Sequence, residues 1–187
     1  LVLRLVQKYG IISSSELVKI TGMRPSTIFN ILKALSAKSF VSYHSKGKST
    51  KKGGKRPFNW TLNNEAAYVV GLDVEVGEMT VVLLDFCGTI VDKKIIKLET
   101  GRTADELTNN IINLVNEVIS EHKIDQKKVL GLGVAFAGIV DIKKGIIAIS
   151  SVLPELNIDL INKLSKLPFP VIIETNANAA AIGLKWR

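Results

Sequence analysis

Apolar residues recur in two different ways along this chain, and the change falls between residues 62 and 69. In the first part the spacing is helical. Leu1, Leu5 and Val6 share one face of a first helix closed by Gly10. Ser13-Ser14-Ser15-Glu16 offers a serine cap to a second helix, about Ser15 to Ile20, with Leu17, Val18 and Ile20 inward. Thr21-Gly22-Met23 is a turn, and Pro25 suits the first position of a third helix because its φ is already helical. On that helix Ile28, Ile31, Leu32 and Leu35 follow the i, i+3, i+4, i+7 pattern. Phe40 to His44 and Phe58 to Leu62 then read as the two strands of a hairpin.

From Val69 the pattern becomes one of buried strands. Val69–Val74, Met79–Asp85 and Val91–Glu99 read as a meander, with Glu75-Val76-Gly77-Glu78 as a tight connection. Thr103 to His122 is an amphipathic helix with Leu107, Ile111, Leu114, Val115, Val118 and Ile119 inward. Val129–Ala135 and Val171–Glu174 are buried strands, and Ala177 to Trp186 begins an alanine-rich helix. A meander followed by alternating helices and strands predicts an α/β domain with a mixed sheet. Two domains are expected, residues 1–62 and 63–187.

Charge sharpens the division. The first sixty residues carry 12 Lys+Arg against a single acid, Glu16, a formal +11; the other 13 bases and 16 acids leave −3. A basic module joined to a slightly acidic one points to a polyanionic partner for the first alone. Two short helices joined by a Gly-containing turn make a helix-turn-helix pattern, whose second helix enters the major groove of DNA. Arg24, Ser26, Thr27, Asn30 and Lys33 lie off its apolar face. These residue types bond base edges or phosphates. The hairpin tip SKGKSTKKGGKRP, residues 45–57, adds Lys46, Lys48, Lys51, Lys52, Lys55 and Arg56. The arrangement is that of a winged helix, with the tip or its Gly-Lys-Arg-Pro arm against the backbone or a narrow minor groove. A helical protein-binding module, or a basic module without sequence preference, would share the pattern. His44 reads as surface or as a phosphate contact.

The remaining chemistry is sparse. Cys87 is the one cysteine, so a disulfide within the chain and a multi-cysteine metal site are both excluded; the residue reads as a small buried side chain. No apolar run approaches the roughly 18 residues a membrane helix needs, and a soluble cytoplasmic protein is expected. Gly131, Gly133 and Gly138 allow close backbone approach, either to a ligand or to a packed neighbour, and their spacing is not that of a GxxxxGK[ST] phosphate loop.

Three segments, GLDVEVGEM at 71–79, GLGVAFAGIVD at 131–141 and ETNANAAAIG at 174–183, with the helix-turn-helix and wing that end in GGKRP at 53–57, carry a resemblance that spans nearly all of the chain. Together they resemble the ROK family (repressors, open reading frames, kinases). The resemblance implies a winged helix-turn-helix followed by an actin-like (ribonuclease H-like) mixed-sheet α/β lobe. That lobe is expected to be incomplete, the chain reading as a fragment that lacks the second lobe or else as a shortened family member. The family's kinases receive ATP phosphates on an Asp-x-Gly-Gly-Thr turn; here Asp73 is followed by Glu75 and Val76 where the glycines belong. Their general base is the Asp of Glu-Asn-Asp-Ala-Asn, and here Asn176 stands at that position. Asn cannot take a proton as a base, although it can still bond a hydroxyl. The implication is no enzyme and no catalytic residue. Thr175 and Asn176 would face a sugar, as would Asn157 in Pro154-Glu155-Leu156-Asn157, a segment that equally reads as a simple turn. The family's zinc motif, a His followed by a Cys cluster, is absent, so no cofactor is expected in this chain. The expected partners are a double-stranded DNA operator, a sugar or sugar-phosphate effector and a second copy of the chain in a dimer. The alternative is a sugar kinase of the glucose or N-acetylglucosamine class that retains a DNA-binding module.

Overall fold

The computed structural model describes residues 1–47, 56–99 and 101–185. The chain forms two compact units, Leu1–Ala66 and a second from Ala67 onward.

In the first unit α1 (Val2–Tyr9) leads through β1 (Ile11–Ser13) to α2 (Ser14–Thr21) and α3 (Pro25–Ala37), and the hairpin β2 (Val41–Lys46) and β3 (Phe58–Leu62) follows. Gly10, at φ 68, ends α1, and Gly22, at φ 69 and ψ 4, ends α2 in the left-handed region that glycine adopts without strain. The cap of α2 is Ser13: its Oγ accepts from Glu16 N–H while the Glu16 carboxylate accepts from Ser13 N–H. Such a capping box is worth about 1 kcal/mol. Val2, Val6, Ile12, Leu17, Ile28, Leu32 and Val41 close the core. Two positions expected inward are not: Leu1 is 70% exposed and Ile20 48%, because Val2 and Val6 form the inner row of α1, and Leu17 with the half-buried Val18 anchors α2. The strand β1, which the spacing of apolar residues does not mark, pairs antiparallel with β3 and completes a sheet of order β1-β3-β2.

The second unit begins with the antiparallel meander β4 (Tyr68–Glu75), β5 (Glu78–Asp85) and β6 (Ile90–Lys97). Then come α4 (Ala104–Glu121), β7 (Val129–Phe136), β8 (Gly138–Asp141), β9 (Ile146–Ser150), β10 (Ile158–Asp159), α5 (Leu160–Lys163), β11 (Val171–Thr175) and α6 (Asn176–Lys185). The main sheet has the order β11-β7-β4-β5-β6, with β11, β7 and β4 parallel. Alternate residues of its strands, among them Val70, Leu72, Val74, Val134 and Phe136, share one core with α4. All six helix residues expected inward are buried, and Ala104 and Thr108 join them. The small antiparallel sheet β10-β9-β8 was not foreseen in the sequence. Two glycines serve packing within the chain: a Cβ on Gly131 would stand 2.9 Å from the Pro170 carbonyl oxygen, and one on Gly138 would run into Ile149.

Cys87 is exposed rather than buried. It occupies the β5–β6 turn, where its N–H and that of Thr89 both donate to Asp85 Oδ1, so the turn geometry and not packing fixes its place. Partial desolvation and then the Asp85 carboxylate push its thiol pKa up, away from nucleophilic use.

Candidate functional site

Two sites emerge, one in each unit. In the first, α3 turns Ile28 and Leu32 into the core, which leaves Arg24, Ser26, Thr27, Asn30 and Lys33 exposed along its outer face. Glu16, the one acid of the first sixty residues, is turned back to Ser13, whose N–H and Oγ donate to Glu16 Oε2 at 2.9 and 2.6 Å. Those bonds hold its carboxyl below the usual range. The hairpin is closed by Gly47 N–H donating to the Pro57 carbonyl at 2.8 Å, with Asn59 Nδ2 donating to Ser45 Oγ at 3.0 Å. Lys46 and Arg56 are exposed at this closure, and His44 is exposed at the bulge between Tyr43 and Ser45. Lys48, Lys51, Lys52 and Lys55 lie outside the described residues. Phe29, which the sequence reading passed over, is 57% exposed on α3 beside these polar residues. The signal was present: Phe29 falls off the Ile28, Ile31, Leu32, Leu35 row and so cannot be core.

In the second unit the carboxyl ends of the parallel strands converge, the usual ligand edge of such a sheet. Register aligns Asp73 on β4 with Ala135 on β7 and Glu174 on β11. Asn176 opens α6 directly after β11 and reaches across the small Ala135 position. Its Nδ2 donates to Asp73 Oδ1 at 2.7 Å and Glu75 Oε1 at 3.3 Å. Only the NH2 end of an amide can serve two carboxylates, which fixes the amide orientation. Asn176 Oδ1 is buried and has no hydrogen-bond partner among the described residues. Burial, then the charges of Glu75 and Glu78, raise the Asp73 pKa above the ordinary range. Glu75 and Glu78 pair across the Val76-Gly77 turn, where Gly77 has φ 85. A cavity of about 250 Å³ opens beside that turn, lined by Val76, Gly77, Leu98, Ser151, Leu153 and Pro154 among others.

The other residues of the expected sugar site have structural partners. Thr175 Oγ1 accepts from Asn178 N–H at 3.3 Å, and Glu174 Oε1 accepts from Thr175 N–H and Asn178 Nδ2, both at 2.9 Å. Glu155 accepts from Ala104 N–H at 2.8 Å and so anchors the start of α4. Asn157 takes a left-handed φ of 55, and its N–H donates to the Ala148 carbonyl. The structure therefore joins Asn176 to Asp73 and Glu75, and no hydrogen bond among the described residues links Asn157 to them. With one cysteine, this chain's residues do not fit a His-plus-Cys-cluster zinc site. Among the described residues no three His, Cys, Asp or Glu side chains stand together as a metal site, and no helix is long and apolar enough to cross a membrane.

Comparison with known proteins gives these arrangements a context. The model of the ROK family matches residues 69–187. The chain is 27% identical over 187 residues to the xylose repressor of Caldicellulosiruptor bescii, covering 100% of this chain and 46% of that protein. It is 32% identical over 190 residues to the xylose repressor of Bacillus subtilis, covering 99% and 47%. The chain thus spans about half the length of the curated relatives it matches. A solved ROK family transcriptional regulator, described as a homologue of the Escherichia coli MLC protein, superposes with a TM-score of 0.73 at 19% identity. It covers 99% of this chain and 46% of its own, a likeness of fold.

Proposed function

The chain belongs to the ROK family, and from that premise we propose that it acts in a sugar-responsive DNA-binding transcriptional regulator, a repressor of sugar-utilisation genes. The observation that carries this reading is the extent of the similarity to the xylose repressors. It runs through 100% and 99% of this chain, and so includes the basic first unit, for which a sugar kinase has no use. In this reading residues 1–62 are a winged helix-turn-helix: α3 enters the major groove, and the β2–β3 hairpin is the wing. Arg24, Ser26, Thr27, Asn30 and Lys33 read or position the duplex. Lys46, Lys48, Lys51, Lys52, Lys55 and Arg56 meet its backbone or minor groove. Residues 63–187, which contain the second unit, are the first lobe of an actin-like domain that senses a sugar without phosphorylating it.

Its chemistry suits a hydroxyl-rich, uncharged ligand. Asn176 offers a buried acceptor, Oδ1, and holds Asp73 and Glu75 beside it. Those carboxylates, with Glu78, oppose a phosphate at short range, which favours a free sugar over a sugar phosphate. Xylose is the first sugar to test, on the strength of the names of the relatives. The kinase reading has against it Glu75 and Val76 in the phosphate turn and an amide, Asn176, where a base is required. A homodimer reading two half-sites accords with the motif.

The test combines two measurements on the full-length protein. Fluorescence anisotropy with promoter fragments of neighbouring sugar genes is expected to show sequence-specific binding that free xylose, or another free sugar of a panel, weakens. ATP-dependent phosphorylation of the same panel is expected to show no turnover. Turnover, or binding indifferent to DNA sequence, would overturn the proposal.

A further inference from the structure

The exposed face of α3 holds one residue that neither phosphate binding nor hydrogen-bonded readout uses. Ser26, Phe29, Asn30 and Lys33 follow the i, i+3, i+4, i+7 spacing, so they form one continuous stripe along the helix. All four are exposed, Phe29 by 57%. A lone exposed apolar residue needs no explanation. Phe29 is not alone: it forms one wall of a groove of about 420 Å³ whose other lining residues are Lys33, Ser36, Ala37 and Trp60 of β3. The groove is therefore apolar in its walls and cationic at Lys33.

The charge of the unit selects what can lie against that stripe. With a formal +11 over the first sixty residues, the unit presents a strongly basic surface to any partner. Charge complementarity demands a polyanion, and the aromatic ring demands that the polyanion present an apolar group at the depth a helix reaches. In the major groove the exposed edges of the bases carry donors, acceptors and one apolar substituent, the 5-methyl group of thymine. We infer that Phe29 is a further specificity-determining residue, one that reads a thymine by packing its ring against that methyl group while Asn30 and Ser26 bond neighbouring base edges. This rests on the DNA-binding reading above.

The test uses sites selected by the unmodified full-length protein from a randomised duplex pool. Each thymine of the selected site is replaced singly by deoxyuridine, which keeps the base pair and the O4 acceptor and lacks only the methyl group. One position is expected to lose about fourfold in affinity, the worth of one methyl-sized group taken out of water. In Phe29→Ala that position is expected to become indifferent to the replacement, while other positions behave as before; Phe29→Leu keeps part of the difference. A thymine-to-uracil ratio near one at every position for the unmodified protein overturns the inference alone. So does the same ratio, undiminished, in Phe29→Ala. Absence of any duplex binding by the unmodified protein overturns it together with the DNA-binding reading.

Discussion

At the scale of single residues, the most consequential contact is between Asn176 and Asp73, an amide and a carboxylate 103 positions apart in sequence. Burial and the charges of Glu75 and Glu78 raise the Asp73 pKa. A carboxyl whose pKa is higher folded than unfolded binds its proton more tightly in the native state. Its favourable contribution is thus fully present below the ordinary Asp value, about 3.9. It is lost as pH rises through the raised folded-state value, so that at neutral pH the ionised group opposes folding. Asp73→Asn removes the charge and keeps an oxygen that Asn176 can donate to. The expected outcome is a higher melting temperature than the unmodified protein at pH 7, with the advantage shrinking to nothing as pH falls to the ordinary Asp range. Calorimetric melts across that range decide it. A lower melting temperature at pH 7 would mean that the charge-assisted bond to Asn176 outweighs the repulsion.

At the scale of elements, what was legible in the sequence was what local period determines. The six inward residues of α4 follow from one face of an 18-residue helix meeting one sheet. Gly10, Gly22 and Pro25 marked helix boundaries because each has a backbone reason to be there. What was missed depends on a partner distant along the chain or on a broken alternation. The strand β1 is 3 residues long and pairs Ile11 with Thr61. The β8–β9 pair carries a register shift between Ile139 and Val140, which breaks the alternation a strand reading looks for. The site divides in the same way: the polar face of α3 followed from helical spacing, whereas the meeting of Asn176 with Asp73 and Glu75 follows from three parallel strand ends that periodicity does not order. The β2–β3 hairpin carries a prediction of its own. Lys46 and Arg56 flank its closure at Gly47 and Pro57, both exposed. An arginine in a narrow minor groove reads shape, whereas a lysine on phosphate adds a point charge. Arg56→Ala is expected to weaken binding to a selected site by about tenfold or more. Lys46→Ala is expected to act mainly by lowering the slope of log affinity against log salt by about one. Equal affinity of Arg56→Ala and the unmodified protein would return the hairpin arm to the status of a connector.

At the scale of the whole molecule, the two units differ in formal charge, +10 over residues 1–66 and −2 over the rest, and in what their surfaces can hold. A sugar bound in the second unit can change DNA affinity only if it binds more tightly to one conformation than to another, and only by that difference in free energy. Linkage then makes the effect reciprocal: whatever factor the sugar imposes on DNA binding, DNA must impose on sugar binding. Two titrations on the full-length protein test this, DNA affinity with and without saturating sugar and sugar affinity with and without saturating operator. The expected result is one common factor, roughly 5- to 150-fold, the usual span of such couplings. Asn176→Ala removes the buried acceptor and the bond to Asp73. It is expected to weaken sugar binding while leaving DNA affinity in the absence of sugar unchanged, because every proposed DNA contact lies in the first unit. A common factor of one would leave both ligands bound and nothing regulated, and the proposed sensing role would fall. A loss of sugar-free DNA affinity in Asn176→Ala would instead show that this position sets the conformational balance itself, in addition to contacting the ligand.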